Sequence, residues 1–438
     1  MPGWAPLVRL AALAWHVSGA VLRLGSRLAA RRILRGRETR EHILGRTLAE
    51  MFQALGPSYV KLGQLLSTRR DLLSDDAIRP LARLQDRLPP GPFRVVAGLF
   101  RDELGVEVGD VFADLDPAPV ASASIATVYR GRLRDGRVVA VKVRRPEVAR
   151  RIRGDLRLLR IAGRVLARVP ALRLVPVEAT LQDFCAALER QLDLRREAEA
   201  SRRLRAALAC EADVVVPTLV DELCGESLLV MEFIGGLRPL DGRGGGDARA
   251  ALHAAVRALY RMIFVEGCIH CDLHRGNLHY LPGGRAVILD FGFVAETDDG
   301  DRRRFAQFFF AMATNDGVRC AQITRDTALA VPRNLDYRAF RAEIIALVDH
   351  VSRASAGEFR VADFVGRLFD LQRRHGLRGT NAFVMPILSL LVLEGIVLDV
   401  DPELDFQRAA RPFVLRAALA PHARNPWAQA AADIAMQG

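Results

Sequence analysis

The run His270-Cys271-Asp272-Leu273-His274-Arg275-Gly276-Asn277, followed after an apolar stretch by Asp290-Phe291-Gly292, constrains this chain more than any other part of it. The first run has the spacing H-x-D-x-x-x-x-N, and the second opens on a carboxylate just past Ile288-Leu289. In that order the two runs supply a base, an amide oxygen and a carboxylate within about two dozen residues. Asp272 is placed to accept a proton from, or orient, an attacking hydroxyl or water. Asn277 and Asp290 offer the two oxygen ligands that would hold Mg2+ against phosphates. The plainer alternative is a β-hairpin over 278–280 and 286–289, turning at Pro282-Gly283-Gly284, with incidental polar neighbours.

Upstream motifs follow the order of a kinase fold. Residues 120–131 and 138–143 read as two strands joined at Asp135-Gly136. The second strand, Val139-Ala140-Val141-Lys142, ends on the lysine that pairs with the α- and β-phosphates in such folds. The preceding loop carries Ala121, Ser122, Ala123 and Ser124 where glycines would usually close over a nucleotide, which predicts a stiffer loop and an altered nucleotide preference. Residues 180–208 read as one long helix with Glu189, Asp193 and Glu197 stacked at i, i+4 and i+8. Lys142 and Lys61 are the expected cations for this stack, with Glu197 paired to Lys142; screening by Arg190, Arg195 and Arg196 is the alternative. A strand over 228–233 runs into Gly235-Gly236, where the backbone near Met231 would meet adenine. The segment 241–247 reads as a flexible linker. Only about ten residues separate Gly292 from a helix near Arg302, with no A-P-E run, so a peptide-binding platform has little room.

Length and composition fit this plan. A chain of 438 residues accommodates two lobes plus extensions. The net charge of +12 points to an anionic partner. The arginines are spread along the chain without interleaved aromatics, which argues against nucleic acid. Of 63 basic residues only Lys61 and Lys142 are lysine. In so arginine-biased a chain, lysine marks places where a compact ammonium is not interchangeable with a planar guanidinium. The six cysteines form no disulfide framework, and Cys268 and Cys271, though spaced C-x-x-C, have no second pair to complete a zinc site.

Residues 1–40 are apolar and basic, with Arg23, Arg27 and Arg31 at helical spacing, so a helix on an anionic membrane surface is expected. A helix packed on the body and a cleaved leader ending at Ser18-Gly19-Ala20 are the alternatives. Residues 41–112 form a helical extension in which Gly56 ends one helix and Pro57 opens the next. Lys61, Gln64 and Thr68 share a face there, and a further helix is expected over 75–87 with Ser74 as its N-cap. Residues 113–240 and 241–438 then form the two lobes. The apolar run 383–400, interrupted by Pro386, Glu394 and Asp399, reads as a core helix rather than a membrane span.

Over roughly residues 41–415 the chain resembles the UbiB/AarF atypical kinases, the ADCK-like group. The resemblance rests on K-x-G-Q at Lys61–Gln64, the alanine-rich loop, Lys142, Glu197, the Asp272/Asn277 loop, Asp290-Phe291-Gly292 and Leu393-Glu394-Gly395. It implies an α+β, bilobal protein kinase-like fold with an N-terminal helical extension of the KxGQ type. It also implies ATP and Mg2+ as cofactors, with Asp272 and Lys61 catalytic, Lys142, Glu197 and Met231 at the nucleotide, and Asn277 and Asp290 at the metal. The K-x-G-Q extension would cover the site and suppress protein phosphorylation. The implied role is support of isoprenoid-quinone biosynthesis or membrane-lipid homeostasis, peripheral to the cytoplasmic face of a bacterial inner membrane. A quinone precursor or other isoprenoid lipid and quinone-biosynthesis enzymes are the implied partners. The alternative is a non-catalytic, nucleotide-gated lipid-binding scaffold. Gln191, Cys271, Leu273, Arg275 and Thr127 depart from the family's usual residues.

Overall fold

The structure, a computed structural model, describes residues 5–33, 38–68, 73–84, 93–122, 125–168, 177–353 and 360–419. Its first half runs α1 (Ala5–Ile33), α2 (Arg40–Leu55), α3 (Pro57–Thr68), α4 (Asp75–Leu81), α5 (Arg94–Leu104), α6 (Val108–Val111), β1 (Phe112–Ser122), β2 (Ala126–Leu133), β3 (Val138–Arg144), α7 (Pro146–Leu166), α8 (Val177–Gln191) and α9 (Leu194–Ala207). The second half runs β4 (Val214–Val215), β5 (Leu228–Glu232), β6 (Arg238–Pro239), α10 (Gly245–Arg261), β7 (Cys268–His270), β8 (Leu278–Leu281), β9 (Arg285–Ile288), β10 (Val294–Glu296), α11 (Asp299–Ala313), α12 (Gly317–Asp326), α13 (Tyr337–Arg353), α14 (Val361–Arg374), α15 (Asn381–Val400) and α16 (Phe406–Leu419). The chain divides into one unit of Met1–Arg196 with Leu219–Phe233 and a second of Glu197–Thr218 with Ile234–Gly438. The architecture is α+β, as expected.

The first unit holds an antiparallel sheet in the order β1-β2-β3-β5. The β2–β3 connection turns at Asp135-Gly136, where Gly136 takes a φ of 91° that side chains rarely adopt. Val141, Val143, Leu228, Val230, Phe100 and Phe112 pack into one core beneath this sheet. A second core joins α2, α3, α7 and α8 through Phe52, Tyr59, Leu156 and Phe184. Two glycines permit that packing: a Cβ on Gly45 would lie 2.2 Å from the Ala77 carbonyl oxygen, and one on Gly63 would lie 2.3 Å from Leu84 Cδ1.

The structure corrects three expectations in this unit. The helix expected over 75–87 ends at Leu81, with Pro80 inside it; Ser74 has cap dihedrals but its side chain accepts no cap bond, and 85–87 lie outside the described residues. The helix expected over 180–208 breaks at Leu192 and Asp193. There the Leu192 and Asp193 N–H groups donate only to the i−3 carbonyls of Glu189 and Arg190, the Leu192 carbonyl accepts from Arg144, and the Leu194 N–H donates 2.9 Å to the Glu226 carbonyl, so the i to i−4 ladder gives way partly to partners outside the helix. On α1, the arginines turn inward. Arg27 donates to Thr47 Oγ1 and both Glu50 oxygens, Arg23 Nε lies 3.8 Å from Glu50, and Arg31 donates to the Glu38 carbonyl. The outward face is apolar instead, with Trp15 78% and Leu22 73% exposed beside Val21 and Ile33.

A buried ion pair fixes the start of α1. Arg9 reaches Asp155 of α7 at 2.7 and 2.9 Å and also donates to the Leu55 carbonyl at the end of α2. Asp155 is 1% exposed and accepts a further bond from Ser58 Oγ.

In the second unit, β4-β9-β8-β6 forms a sheet whose β4–β9 pair is parallel, and β7 pairs with β10. The anticipated hairpin therefore exists as β8 and β9, and the polar loop precedes it. A large core is built from α10, α11, α14, α15 and α16. Residues 241–247 are not a linker: Asp241 accepts from Arg243 N, Gly242 N donates to Asp399, and Gly245 begins α10. Among the described residues α15 alone is long and apolar enough to cross a membrane, and it is largely buried in this core.

Replacing Arg9 by Met leaves Asp155 charged and buried, so it should cost about 3 kcal/mol of local stability, and Arg9→Met with Asp155→Leu should recover most of that. Native-state hydrogen exchange across α1 and α7 measures both. Equal protection in wild type and Arg9→Met would remove this clamp from the account.

Candidate functional site

The second unit brings Asp272, Asn277, Asp290 and Glu197 into one body, and His270 organises the loop that carries two of them. His270 ends β7, pairs with Val294 of β10 and is wholly buried. Its Nδ1 accepts the Asp272 N–H at 3.2 Å, which leaves Nε2 protonated to donate to the Leu289 carbonyl at 3.3 Å. The ring packs edge-on against Phe291, with centroids 5.5 Å apart. One imidazole thus ties the backbone of the 270–277 loop to the backbone entering Asp290. Burial pushes the His270 pKa below its ordinary value, against the opposing pull of Asp272 and Asp290.

Asn277 is buried, and its Nδ2 donates to the Asp272 carbonyl at 2.9 Å. That bond turns the amide oxygen to the other side, where it is available as a ligand. The Asn277 backbone is fixed by the His274 carbonyl and by the Leu289 N–H at 2.8 Å. Asp272 is half exposed, with His274 Nε2 3.7 Å from its carboxylate.

Asp290 sits at φ 56°, a left-handed conformation uncommon for a side-chain-bearing residue, and strain of this kind concentrates at functional turns. Its Oδ1 accepts from Gly292 N at 3.1 Å. A Cβ on Gly292 would meet Asp290 Oδ1 at 3.1 Å and Glu197 Oε2 at 3.6 Å, so glycine keeps this turn open beside the buried Glu197 carboxylate. Hard oxygen donors on a rigid turn fit Mg2+ by their chemistry.

Arg275 donates to Asp399 of α15 at 2.7 Å, and Asp399 also receives Gly242 N–H. The guanidinium holds the Asp399 carboxyl below its usual range. Cys268 and Cys271 are thiols at neutral pH, pushed up to about 12 by burial.

The remaining predicted residues belong to the first unit. Lys142 is buried on β3, opposite Val128 of β2 and Leu229 of β5, while Met231 of β5 faces Ala140. Ala121 and Ser122 are the last residues of β1, paired with Val128 and Thr127; Ala123 and Ser124 lie outside the described residues. Arg145 was missed: it donates to Ser122 Oγ and Thr127 Oγ1, fixing the root of this loop. Lys61 is half-buried on α3, while Gly63 and Gln64 of the same motif are structural, Gln64 donating to the Leu84 carbonyl at 3.1 Å. The side chain of Thr68 lies outside the described residues. The acidic stack is answered by arginine, not lysine, at two positions. Asp193 is held by Arg195 and Glu189 by Arg160 of α7, because the break at Leu192 turns Asp193 off the face that Glu189 occupies.

Residues 83–324 match the ABC1 atypical kinase-like domain. This chain belongs to that family. It is 32% identical over 380 residues to a "Probable protein kinase UbiB" of Marinobacter nauticus, covering 84% of this chain and 69% of that protein. A protein of the same description from Pseudomonas aeruginosa is 33% identical, with 85% and 71% covered. Among solved structures, a Mycobacterium tuberculosis protein in complex with erythromycin superposes with a TM-score of 0.55 at 23% identity, covering 84% of this chain and 94% of that one. The fold of this ABC1 chain is therefore kinase-like.

Two outcomes test the geometry. The unfolded state binds more protons than the folded state once pH falls below about 6.5, so the contribution of neutral His270 is present above that value and lost below it. The melting temperature should drop between pH 7 and pH 5, and His270→Asn should melt lower at pH 7 but with a shallower slope. An unchanged slope would show that another group controls this window. Separately, Asp399→Asn should speed amide exchange over 272–277 while leaving the melting temperature nearly unchanged. Arg275→Pro added to it should restore protection, since the Arg275 N–H donates no bond among the described residues.

Proposed function

We propose that this chain is an ATP- and Mg2+-dependent atypical kinase or ATPase of the UbiB type. The observation that carries this reading is the His270 junction, which holds Asp272 and Asn277 against the left-handed Asp290 turn. In this reading Asp272 accepts the proton of the attacking hydroxyl or water. Asn277, through its amide oxygen, and Asp290, through its carboxylate, hold Mg2+. The metal, when bound, neutralises charge on the transferred phosphoryl group. Lys142 binds the α- and β-phosphates, and burial on β3 limits its rotamers. The backbone near Met231 takes the adenine edge, and Glu197 lines the Asp290–Gly292 turn. Ala121 and Ser122, with Ala123 and Ser124 beyond them, cover the nucleotide, and Lys61 acts at the same phosphates.

Only Thr297 and Asp298 separate β10 from α11, which leaves little chain for a peptide platform and favours a small-molecule acceptor or water. The family and its bacterial relatives support a place in isoprenoid-quinone biosynthesis or membrane-lipid homeostasis, peripheral to the cytoplasmic face of the inner membrane. An isoprenoid precursor and quinone-biosynthesis enzymes are the partners this role calls for. The apolar outward face of α1, with Trp15, Val21 and Leu22, is the surface by which the chain would meet a membrane.

Purified protein should release phosphate from Mg-ATP, faster with anionic liposomes, and Asp290→Asn should abolish release while leaving α1-dependent liposome flotation intact. Trp15→Glu with Leu22→Glu should abolish flotation and the liposome stimulation but not the basal rate. Nucleotide binding without turnover in either condition would replace the enzyme by a nucleotide-gated lipid-binding scaffold.

A further inference from the structure

The second unit contains a cavity of about 240 Å³ that shares no residue with the site above. A water needs only about 10–15 Å³ of such space, so this is not a packing gap between helices. Tyr260, Leu390, Phe406 and Val414 form its buried floor, and Phe309 and Met312 of α11 form one wall. The floor offers a ligand no polar group. The Tyr260 hydroxyl already donates to the Phe406 carbonyl at 2.7 Å, and the Val361 N–H is taken by Glu394. The lip differs in chemistry. Phe310 and Leu415 stand 37% and 42% exposed, and the exposed Arg411 of α16 also lines the cavity. Arg411 is exposed and makes no ion pair among the described residues.

An apolar hole with one unpaired cation at its mouth selects a ligand with one apolar chain and one anionic head. We propose that this cavity binds a single-chain anionic amphiphile, its chain between α11 and α16 and its head on Arg411. The ligand enters past Phe310 and Leu415, from solution or from a bilayer. The site works independently of the nucleotide chemistry proposed above, so either reading can fail without the other.

Calorimetric titration of the full chain with dodecyl phosphate, below its micelle concentration, tests this. Saturable one-to-one binding is expected, with dodecanol about tenfold or more weaker, and Arg411→Gln should remove that difference. Ala313→Trp, filling the lip from the exposed end of α11, should weaken both ligands at least about tenfold; should it misfold by circular dichroism, Ala313→Leu narrows the same opening. Dodecyl phosphate carried in phosphatidylcholine vesicles distinguishes the sources: binding only from vesicles assigns the ligand to the bilayer, and binding from both assigns it to either pool. No saturable binding from either source, or binding indifferent to both Ala313 and Arg411 substitutions, overturns the proposal.

Discussion

The candidate site depends on one uncharged imidazole. His270 bonds to backbone on both sides of the β8–β9 hairpin, at Asp272 N and at the Leu289 carbonyl. A protonated ring would set an N–H against the Asp272 N–H and break that link, so the loop geometry and the neutrality of His270 are one constraint. Burial enforces the neutrality, and Phe291 covers the ring. Asp290 can remain at a costly φ because the residues on either side of it are held by this junction and by its own bond to Gly292 N.

Much of this was readable in the sequence because it is local. The H-x-D-x-x-x-x-N and D-F-G runs, the Asp135-Gly136 hairpin and the Gly56-Pro57 junction each encode their geometry within a few residues, and the structure has all of them. What escaped the sequence involves partners far along the chain. Residues 180–208 have unbroken helical spacing, and the break appears where Arg144 and Glu226, 48 and 34 residues away from Leu192, capture backbone groups. The face of α1 was misread for a related reason. Arginine spacing identifies a polar stripe but not whether water, lipid or Glu50 of another helix meets it. Gly63 and Gln64 looked like parts of a chemical motif, yet Leu84 and Phe52 leave no room for a Cβ at Gly63, and Gln64 donates to the Leu84 carbonyl.

The arginine bias has a structural consequence. Besides ion pairs, arginines here satisfy carbonyls at element ends and in loops: Arg9 at Leu55, Arg31 at Glu38, Arg134 at Gly109, Arg144 at Leu192 and Arg261 at Ala207. A guanidinium with five donors can take a carbonyl and a carboxylate together, as Arg9 and Arg144 do, which a compact ammonium does less readily. The same reasoning sharpens the meaning of the two lysines. A fork that commits to several fixed acceptors suits a structural clamp, whereas a group that must engage and release a phosphate is better served by a point charge on a flexible stem. Lys142, buried on β3, and Lys61 on α3 are the two positions of this arginine-rich chain that keep the compact ammonium.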